Sequence, residues 1–300
     1  MYRLAHITDP HLPLAGRPRL RELVSKRFIG YSNWLRSRNE IHRFDILTTL
    51  VADIHAAAPD HIACTGDLVN VASRAEFVPA RKFLESLGPR ERVSLVPGNH
   101  DAYAGSWNES MWREWGPYMT GDETLARDHL PDAGFPWVRR EGRIILIGLS
   151  SAITTLPFQA AGKVGRRQLR RLASVLDEAG RDGSFRVVLV HHSPLPGKQY
   201  RSLRDATELC ETLARHGAEL VLHGHDHLAS FNAIHRDGAT IPVVGAPSAS
   251  AMPHGRKPGA GWTLFTIASE ENGWRCHMQR RNVAAPGTPL DVMEERTLTP

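Results

Sequence analysis

The sequence predicts an α/β fold with mixed sheets, and three observations carry the prediction. Short β-like runs alternate with stretches of helical spacing from Leu4 to Leu222. From Ser230 onward, strand-like runs follow one another without helices between them. Five clusters of His, Asp and Asn each stand directly after a predicted strand, where α/β folds build their ligand sites.

The elements follow in order. Leu4 to Thr8 is a strand that ends at Asp9-Pro10-His11. Ile46, Leu47, Leu50, Val51 and Ile54 recur at helical spacing and predict a helix over Phe44 to Ala57. His61 to Thr65 is a short strand ending at Gly66-Asp67. A helix over Ala75 to Leu87 leads to a strand, Val93 to Val96, that ends at Pro97-Gly98-Asn99-His100-Asp101. The pattern between Asn108 and Pro136 is weak and reads as irregular loop with a short helix. Ile144 to Leu149 is strongly β. Gly165 to Glu178 puts Leu169, Leu172, Val175 and Leu176 on one helical face. Val187 to Val190 runs into His191-His192. A helix over Asp205 to Arg215 precedes Leu220 to Leu222, which runs into His223-Gly224-His225-Asp226-His227. The closing strands are Ser230 to Ile234, Ile241 to Val244, Trp262 to Ile267 and Trp274 to Met278. One domain is expected over residues 1–282, with 283–300, rich in Pro, Thr and charge, as a loosely held tail.

Composition excludes several classes. With 41% hydrophobic and 23% charged residues in 300, the chain can bury a sizeable core and is not disordered. No apolar run is long enough to span a membrane. Polar sequence begins by Asp9, too early for the apolar core of a secretory signal. Cys64, Cys210 and Cys276 are an odd set with no CxxC pair, which predicts reduced thiols and a cytoplasmic protein.

Charge is concentrated in one place. Arg17, Arg19, Arg21, Lys26, Arg27, Arg36, Arg38 and Arg43 face only Glu22 and Glu40, so a segment of +6 sits in a chain of net +5 and the remainder is close to neutral. Leu20, Val24, Phe28, Tyr31 and Leu35 give this segment a helical rhythm. It reads as a basic amphipathic helix or helix pair, an insertion over residues 16–43. Such a helix suits an anionic partner, whether phosphate substrate, lipid headgroups or nucleic acid, or a contact with a second copy of the chain. The plainer reading is a solvated helix packed on the domain by its apolar stripe.

The five clusters are Asp9-x-His11, Gly66-Asp67, Gly98-Asn99-His100-Asp101, His191-His192 and Gly224-His225-x-His227. Imidazole, carboxylate and one amide oxygen are ligands for divalent metals. Singly each cluster is common; in this order, each at a strand end, they resemble the signature of the calcineurin-like metallophosphoesterases, DxH…GD…GNH(D/E)…H…GHxH. The motifs span residues 9–227, about three quarters of the chain.

That resemblance implies a four-layer α/β/β/α sandwich of two mixed sheets, with a two-metal site at one edge. It implies that Asp9, His11, Asp67 and His227 hold a first metal and that Asn99, His191 and His225 hold a second, with Asp67 bridging. The metals would be Mn, Fe or Zn. His100 would face the phosphate, and Asp101 would orient it. Two cations about 3.5–4 Å apart could clamp both reacting oxygens and lower the pKa of a shared water, so that hydroxide attacks near neutral pH. His100 would stabilise or protonate the departing oxygen. His192 is expected beside the metals or facing substrate, and His223 has equal claims to a structural and a functional place. Among the other histidines His42 stands out, because it lies in the basic insertion.

The residues also separate branches of the family. The DRG that follows GD in protein Ser/Thr phosphatases is missing from Gly66-Asp67-Leu68-Val69-Asn70-Val71-Ala72. UDP-diacylglucosamine hydrolases share the His223 to His227 ending but carry Arg where His100 stands. Small bacterial phosphodiesterases of cyclic-nucleotide and glycerophosphodiester type match best, through Gly162-Lys163-Val164-Gly165-Arg166-Arg167-Gln168-Leu169. The expected activity is hydrolysis of a small-molecule phosphodiester. A phosphomonoesterase or pyrophosphatase with the same site, and a non-catalytic binding module, are the alternatives.

Overall fold

Twelve strands form two six-stranded sheets among the residues that the computed structural model describes, which are all but 15, 17, 20–21, 23–25, 104–106, 123–133, 237, 254–258, 272, 284–287, 289 and 299–300. The strands are β1 Tyr2–Ile7, β2 His61–Cys64, β3 Val93–Leu95, β4 Trp137–Glu141, β5 Ile144–Gly148, β6 Phe185–Leu189, β7 Leu220–His223, β8 Ser230–Arg236, β9 Ala239–Gly245, β10 Gly261–Glu270, β11 Gly273–Val283 and β12 Leu290–Leu298. One sheet has the order β12-β11-β10-β1-β2-β3 and the other β4-β5-β6-β7-β9-β8. The helices are α1 Lys26–Asn33, α2 Asn39–Ile41, α3 Phe44–Ala56, α4 Arg74–Leu87, α5 Trp107–Trp115, α6 Arg166–Arg181 and α7 Ala206–His216.

Both sheets are mixed. In the first, β1, β2 and β3 run parallel while β10 pairs antiparallel with β1. In the second, β5, β6, β7 and β9 are parallel and β4 and β8 close the edges antiparallel.

The layers follow from the period-2 alternation of the strands. Leu146, Val187, Leu189, Leu220 and Leu222 share a core with Leu4, Phe265 and Met278 of the first sheet. The intervening Ile145, Ile147, Val188 and Val221 pack instead with Leu172 and Leu176 of α6 and Leu209 and Leu213 of α7. On the far side, Ile46, Leu50 and Ile54 of α3 and Phe77 and Leu84 of α4 join the first core. The result is the expected four-layer α/β/β/α sandwich. No helix among the described residues is long and apolar enough to cross a membrane.

The structure corrects the sequence reading at three places. The expected loose tail is not one where it is described: Leu290–Leu298 is an edge strand paired antiparallel with β11 from Val283↔Leu290 to Cys276↔Leu298. Its polar residues hide the strand, because an edge strand exposed along most of its length needs no apolar alternation. The weakly patterned stretch carries the expected short helix, α5, but a strand that the sequence reading did not include, β4, follows it, and its Trp137 N–H reaches across to the carbonyl oxygen of Leu95 at 3.1 Å; residues 123–133 lie outside the described residues.

The third correction is the basic insertion. Helix α1 continues through a π-helical turn, Trp34–Arg38, into α2. Arg17, Leu20, Arg21 and Val24 of the expected amphipathic pattern lie outside the described residues. Over the described part the apolar stripe is not buried as a unit: Phe28 is 59% and Leu35 53% exposed and Tyr31 is half-buried, whereas Arg27 is buried. Polar anchors decide the orientation. Arg27 donates to the carbonyl oxygens of Val71 at 3.1 Å and Ala72 at 2.9 Å. Gly30 permits close approach, since a Cβ there would lie 2.6 Å from the Tyr103 hydroxyl.

Candidate metal centre

The five polar clusters follow β1, β2, β3, β6 and β7, and the sandwich brings them together. The loop after β1 lies on the loop after β2: Asp9 N–H donates to Gly66 O at 2.9 Å and His11 N–H to Asp67 O at 3.1 Å. His225 N–H donates to Asp9 Oδ2 at 2.9 Å, and His100 N–H to Asp67 Oδ1 at 2.7 Å. These backbone bonds consume one oxygen of each carboxylate. The other oxygens, Asp9 Oδ1 and Asp67 Oδ2, turn towards the histidines.

The side chains form two adjoining groups. In the first, His227 Nε2 is 3.2 Å from Asp9 Oδ1 and 3.2 Å from His11 Nε2, and His11 Nε2 is 3.8 Å from both Asp9 Oδ1 and Asp67 Oδ2. In the second, His191 Nε2 is 3.4 Å from Asp67 Oδ2 and 3.2 Å from Asn99 Oδ1, and His225 Nδ1 is 2.8 Å from Asn99 Oδ1. With metal–ligand bonds of roughly 2.1 Å, donors in one tetrahedral or octahedral shell lie about 3.0–3.4 Å apart. The observed spacings are close to that range, and Asp67 Oδ2 belongs to both groups.

The donor chemistry fits cations as well. His11 donates its Nδ1–H to Val69 O at 3.3 Å and His191 donates its own to Thr65 O at 2.6 Å, so each presents the lone pair of Nε2 to a neighbouring carboxylate. Lone pair against carboxylate is repulsive unless a proton or cation lies between. Asp9 Oδ1, fully buried, has no hydrogen-bond partner among the described residues, a costly state for a carboxylate that a cation would relieve. Burial alone would push the His191 pKa down; the carboxylates of Asp67 and Asp9 outweigh it and raise it to about 10. Asp9 is held well below the usual carboxylate range despite burial, through His227, His191 and His11.

Backbone strain marks the same residues. Positive φ occurs at Asp9 (51°), His11 (38°), Asp67 (56°), His225 (72°) and His227 (55°). Left-handed conformations cost non-glycine residues on the order of 1–3 kcal/mol and persist where the surroundings over-determine them. The motif glycines are demanded by space. A Cβ on Gly98 would collide with the Asp67 carboxylate, and one on Gly224 with Thr8 Oγ1 and Asp9 Oδ2. Gly98→Ala is therefore expected to lower Tm by roughly 3–10 °C, the effect of ~1–3 kcal/mol of overpacking. It should also weaken metal uptake in titration calorimetry, and wild-type uptake would contradict the packing argument.

His100 lies beside these groups. Its Nδ1–H donates to Asn70 O at 2.5 Å, and Arg38 Nη1 lies over the ring, 3.3 Å from Nδ1 and 3.0 Å from Nε2. Burial, followed by the charge of Arg38, lowers its pKa to about 3. The ring is oriented by the Asn70 carbonyl, not by Asp101 as expected. Asp101 instead accepts the N–H groups of Asp67 (2.8 Å), Leu68 (2.9 Å), Val69 (3.2 Å) and Gly98 (2.9 Å), tying the loops after β2 and β3 to each other. His192 is fully engaged, with Nε2–H on Ala160 O at 3.0 Å and Nδ1 accepting from Ser151 at 2.8 Å, so no lone pair is left for a metal. His223 is buried with Nδ1 3.1 Å from Gly224 O.

The insertion, singled out in the sequence as a basic segment suited to an anionic partner, brings Lys26, Arg38 and His42 to the site, and Tyr103 joins them without a signal in the sequence. Lys26 Nζ donates to Thr155 Oγ1 at 2.5 Å and Gln159 O at 2.7 Å, and sits 4.6 Å over the Tyr103 ring. Tyr103 in turn stacks on His100 at 5.3 Å. His42 packs 4.6 Å from the His11 ring while its Nδ1 meets Ser250 Oγ at 2.8 Å. Its place in the basic segment was the one signal in the sequence.

Residues 2–229 match the family model for calcineurin-like phosphoesterases. The chain belongs to that family. A probable cyclic nucleotide phosphodiesterase of Synechococcus sp. (strain WH7803) is 24% identical over 275 residues, covering 87% of this chain and 89% of that one. Among solved structures, a dimetal phosphatase from Danio rerio aligns with a TM-score of 0.64 at 13% identity, covering 99% of this chain and 98% of its own. The purple acid phosphatase PPD1 of yellow lupin (Lupinus luteus) aligns with a TM-score of 0.57 at 12% identity, over 99% of this chain but 53% of that one. The two structures share the fold. The chain is thus a calcineurin-like metallophosphoesterase whose His and Asp groups could bind metal.

Proposed function

We propose that the chain is a dinuclear-metal-dependent hydrolase that cleaves a phosphodiester in a small-molecule substrate. One observation carries the reading: a single carboxylate oxygen, Asp67 Oδ2, stands 3.8 Å from His11 Nε2 and 3.4 Å from His191 Nε2, between two groups of donors. We assign Asp9, His11, Asp67 and His227 to one metal and Asn99, His191 and His225 to the other, with Asp67 shared. When bound, the two ions, of the Mn, Fe or Zn type, supply Lewis-acid activation of water and of the phosphoryl oxygens.

The chain's own residues do the rest. The carbonyl oxygens of Val69 and Thr65 fix the tautomers of His11 and His191. Asn70 orients the His100 ring, which lines the pocket; a phosphoryl anion bound against Nε2 would favour its protonation, so that His100 can bind that group and pass the proton to the departing oxygen. Asp101 keeps the loops at the spacing the site needs. The likeness to a probable cyclic nucleotide phosphodiesterase over most of both chains supports a diester over a monoester. Lys26 and Arg38 of the insertion line the pocket, so we assign substrate, rather than a lipid or nucleic-acid surface, as the anion they meet. An odd number of cysteines with no CxxC pair supports a reducing, cytoplasmic setting.

The test compares bis-p-nitrophenyl phosphate, p-nitrophenyl phosphate and 3′,5′-cyclic AMP with protein stripped of metal and reloaded with Mn²⁺. Faster turnover of diester than monoester is expected, and chelator should abolish both. Preference for the monoester would overturn the diesterase reading.

A further inference from the structure

The pocket above the candidate metal centre is more positive than a monoanionic diester requires. It has a volume of about 380 Å³, and among the described residues Asp67 is the one acidic side chain on its walls, against the half-buried Lys26 and Arg38 and the exposed Arg201. Arg38 is the most telling of the three. Its side chain is half-buried, and among the described residues its hydrogen bonds run to the His100 ring alone, with no carboxylate bonded to it. Lys26 Nζ is likewise held by neutral acceptors, Thr155 Oγ1 and Gln159 O. The charges of Asp9 and Asp67 are committed to the donor groups below. Cations withdrawn from water without a counter-charge are costly, and a ligand anion removes that cost.

We infer that Arg38, Lys26 and Arg201 form a subsite for a second phosphoryl group, so that the substrate is a diphosphate-linked diester. The inference rests on the hydrolase reading and moves its scissile bond to a phosphoanhydride between two esterified phosphates, the pyrophosphatase alternative that the sequence leaves open. Arg38 Nη1 lies 3.0 Å from His100 Nε2, so the subsite adjoins the place assigned to the scissile phosphoryl group. Hydrolysis forms a bond from a water oxygen to the scissile phosphorus and breaks its bond to the bridging oxygen. That oxygen leaves with the electron pair on the second phosphate, and the water's proton passes to solvent. The new negative charge then develops beside Arg38, where a preorganised donor counts most.

The test uses Mn²⁺-loaded protein. Inorganic phosphate and methylenediphosphonate are titrated by calorimetry, and kcat/KM is compared for ADP-ribose and thymidine 5′-(p-nitrophenyl phosphate). Wild type should bind the diphosphonate at least about tenfold more tightly than phosphate and favour ADP-ribose. In Arg38→Gln, and further in Arg38→Gln/Arg201→Gln, the binding ratio should fall by about tenfold, the effect of ~1.4 kcal/mol. Metal content, measured in parallel, shows whether the ions are still in place. An unchanged ratio in metal-replete variants means that the ions alone select the diphosphonate, and overturns the subsite; so does equal binding in wild type. Absence of turnover on every phosphoester would sink the hydrolase reading instead, while the binding ratio still decides the subsite.

Discussion

Asp67→Asn should lower kcat for phosphodiester hydrolysis by about 10³-fold or more while leaving the chain folded. The carboxylate oxygen Oδ2 approaches both clusters, through His11 Nε2 at 3.8 Å and His191 Nε2 at 3.4 Å. Its second oxygen accepts the His100 N–H at 2.7 Å, a bond the amide oxygen of Asn can keep. The substitution therefore removes charge and bridging capacity more than shape. Losing Lewis-acid stabilisation worth several kcal/mol corresponds to at least about three powers of ten in rate. Elemental analysis should find less than the wild-type metal load, and circular dichroism an intact fold. Retention of kcat within about tenfold, with full metal content, would refute the bridging role.

His100→Ala should cost about 10²–10⁴-fold in kcat, the range for a positioned acid–base group, with metal content unchanged. The ring does not belong to either donor cluster; it hangs from Asn70 O by Nδ1, with Arg38 Nη1 over its face. The leaving group separates its two roles. If His100 protonates the departing oxygen, the loss is much smaller for p-nitrophenolate, which needs no proton, than for an alkoxide. An equal loss for both assigns His100 to binding the phosphoryl group. A variant with wild-type kcat on both would remove His100 from the mechanism.

Much of this was legible in the sequence, for a physical reason. The parallel strands β1, β2, β3, β6 and β7 are short, apolar and buried on both faces, so each ends visibly where polar sequence begins. The ligand candidates sit at those boundaries, and the register of the sheets turns boundaries far apart in sequence into neighbours. Edge strand β12 was not legible, because exposure removes the alternation that reveals a strand; β4 is buried over Trp137 to Arg139, but the consecutive charges Arg139, Arg140 and Glu141 break its apolar run. The insertion misled for the opposite reason. Phe28, Tyr31 and Leu35 make a good helical stripe, but the bonds of Arg27 to the carbonyls of Val71 and Ala72 bury that side chain and leave Phe28 and Leu35 exposed. Arg38 could be counted as a charge, yet its place against His100 depends on a π-helical turn and on contacts 62 residues apart. Asp101 was placed in the right loop with the wrong partner, since GNHD gives no hint that its carboxylate gathers four backbone N–H groups.

The central claim is that two metal ions share this site and that hydrolysis requires both. Its most direct test titrates Mn²⁺ into metal-stripped, folded protein while bound metal and bis-p-nitrophenyl phosphate hydrolysis are followed together. Two equivalents per chain are expected, with activity rising as the second is taken up. Saturation at one equivalent with full activity, or no hydrolysis with Mn²⁺, Fe²⁺ or Zn²⁺ bound at two equivalents, would contradict it.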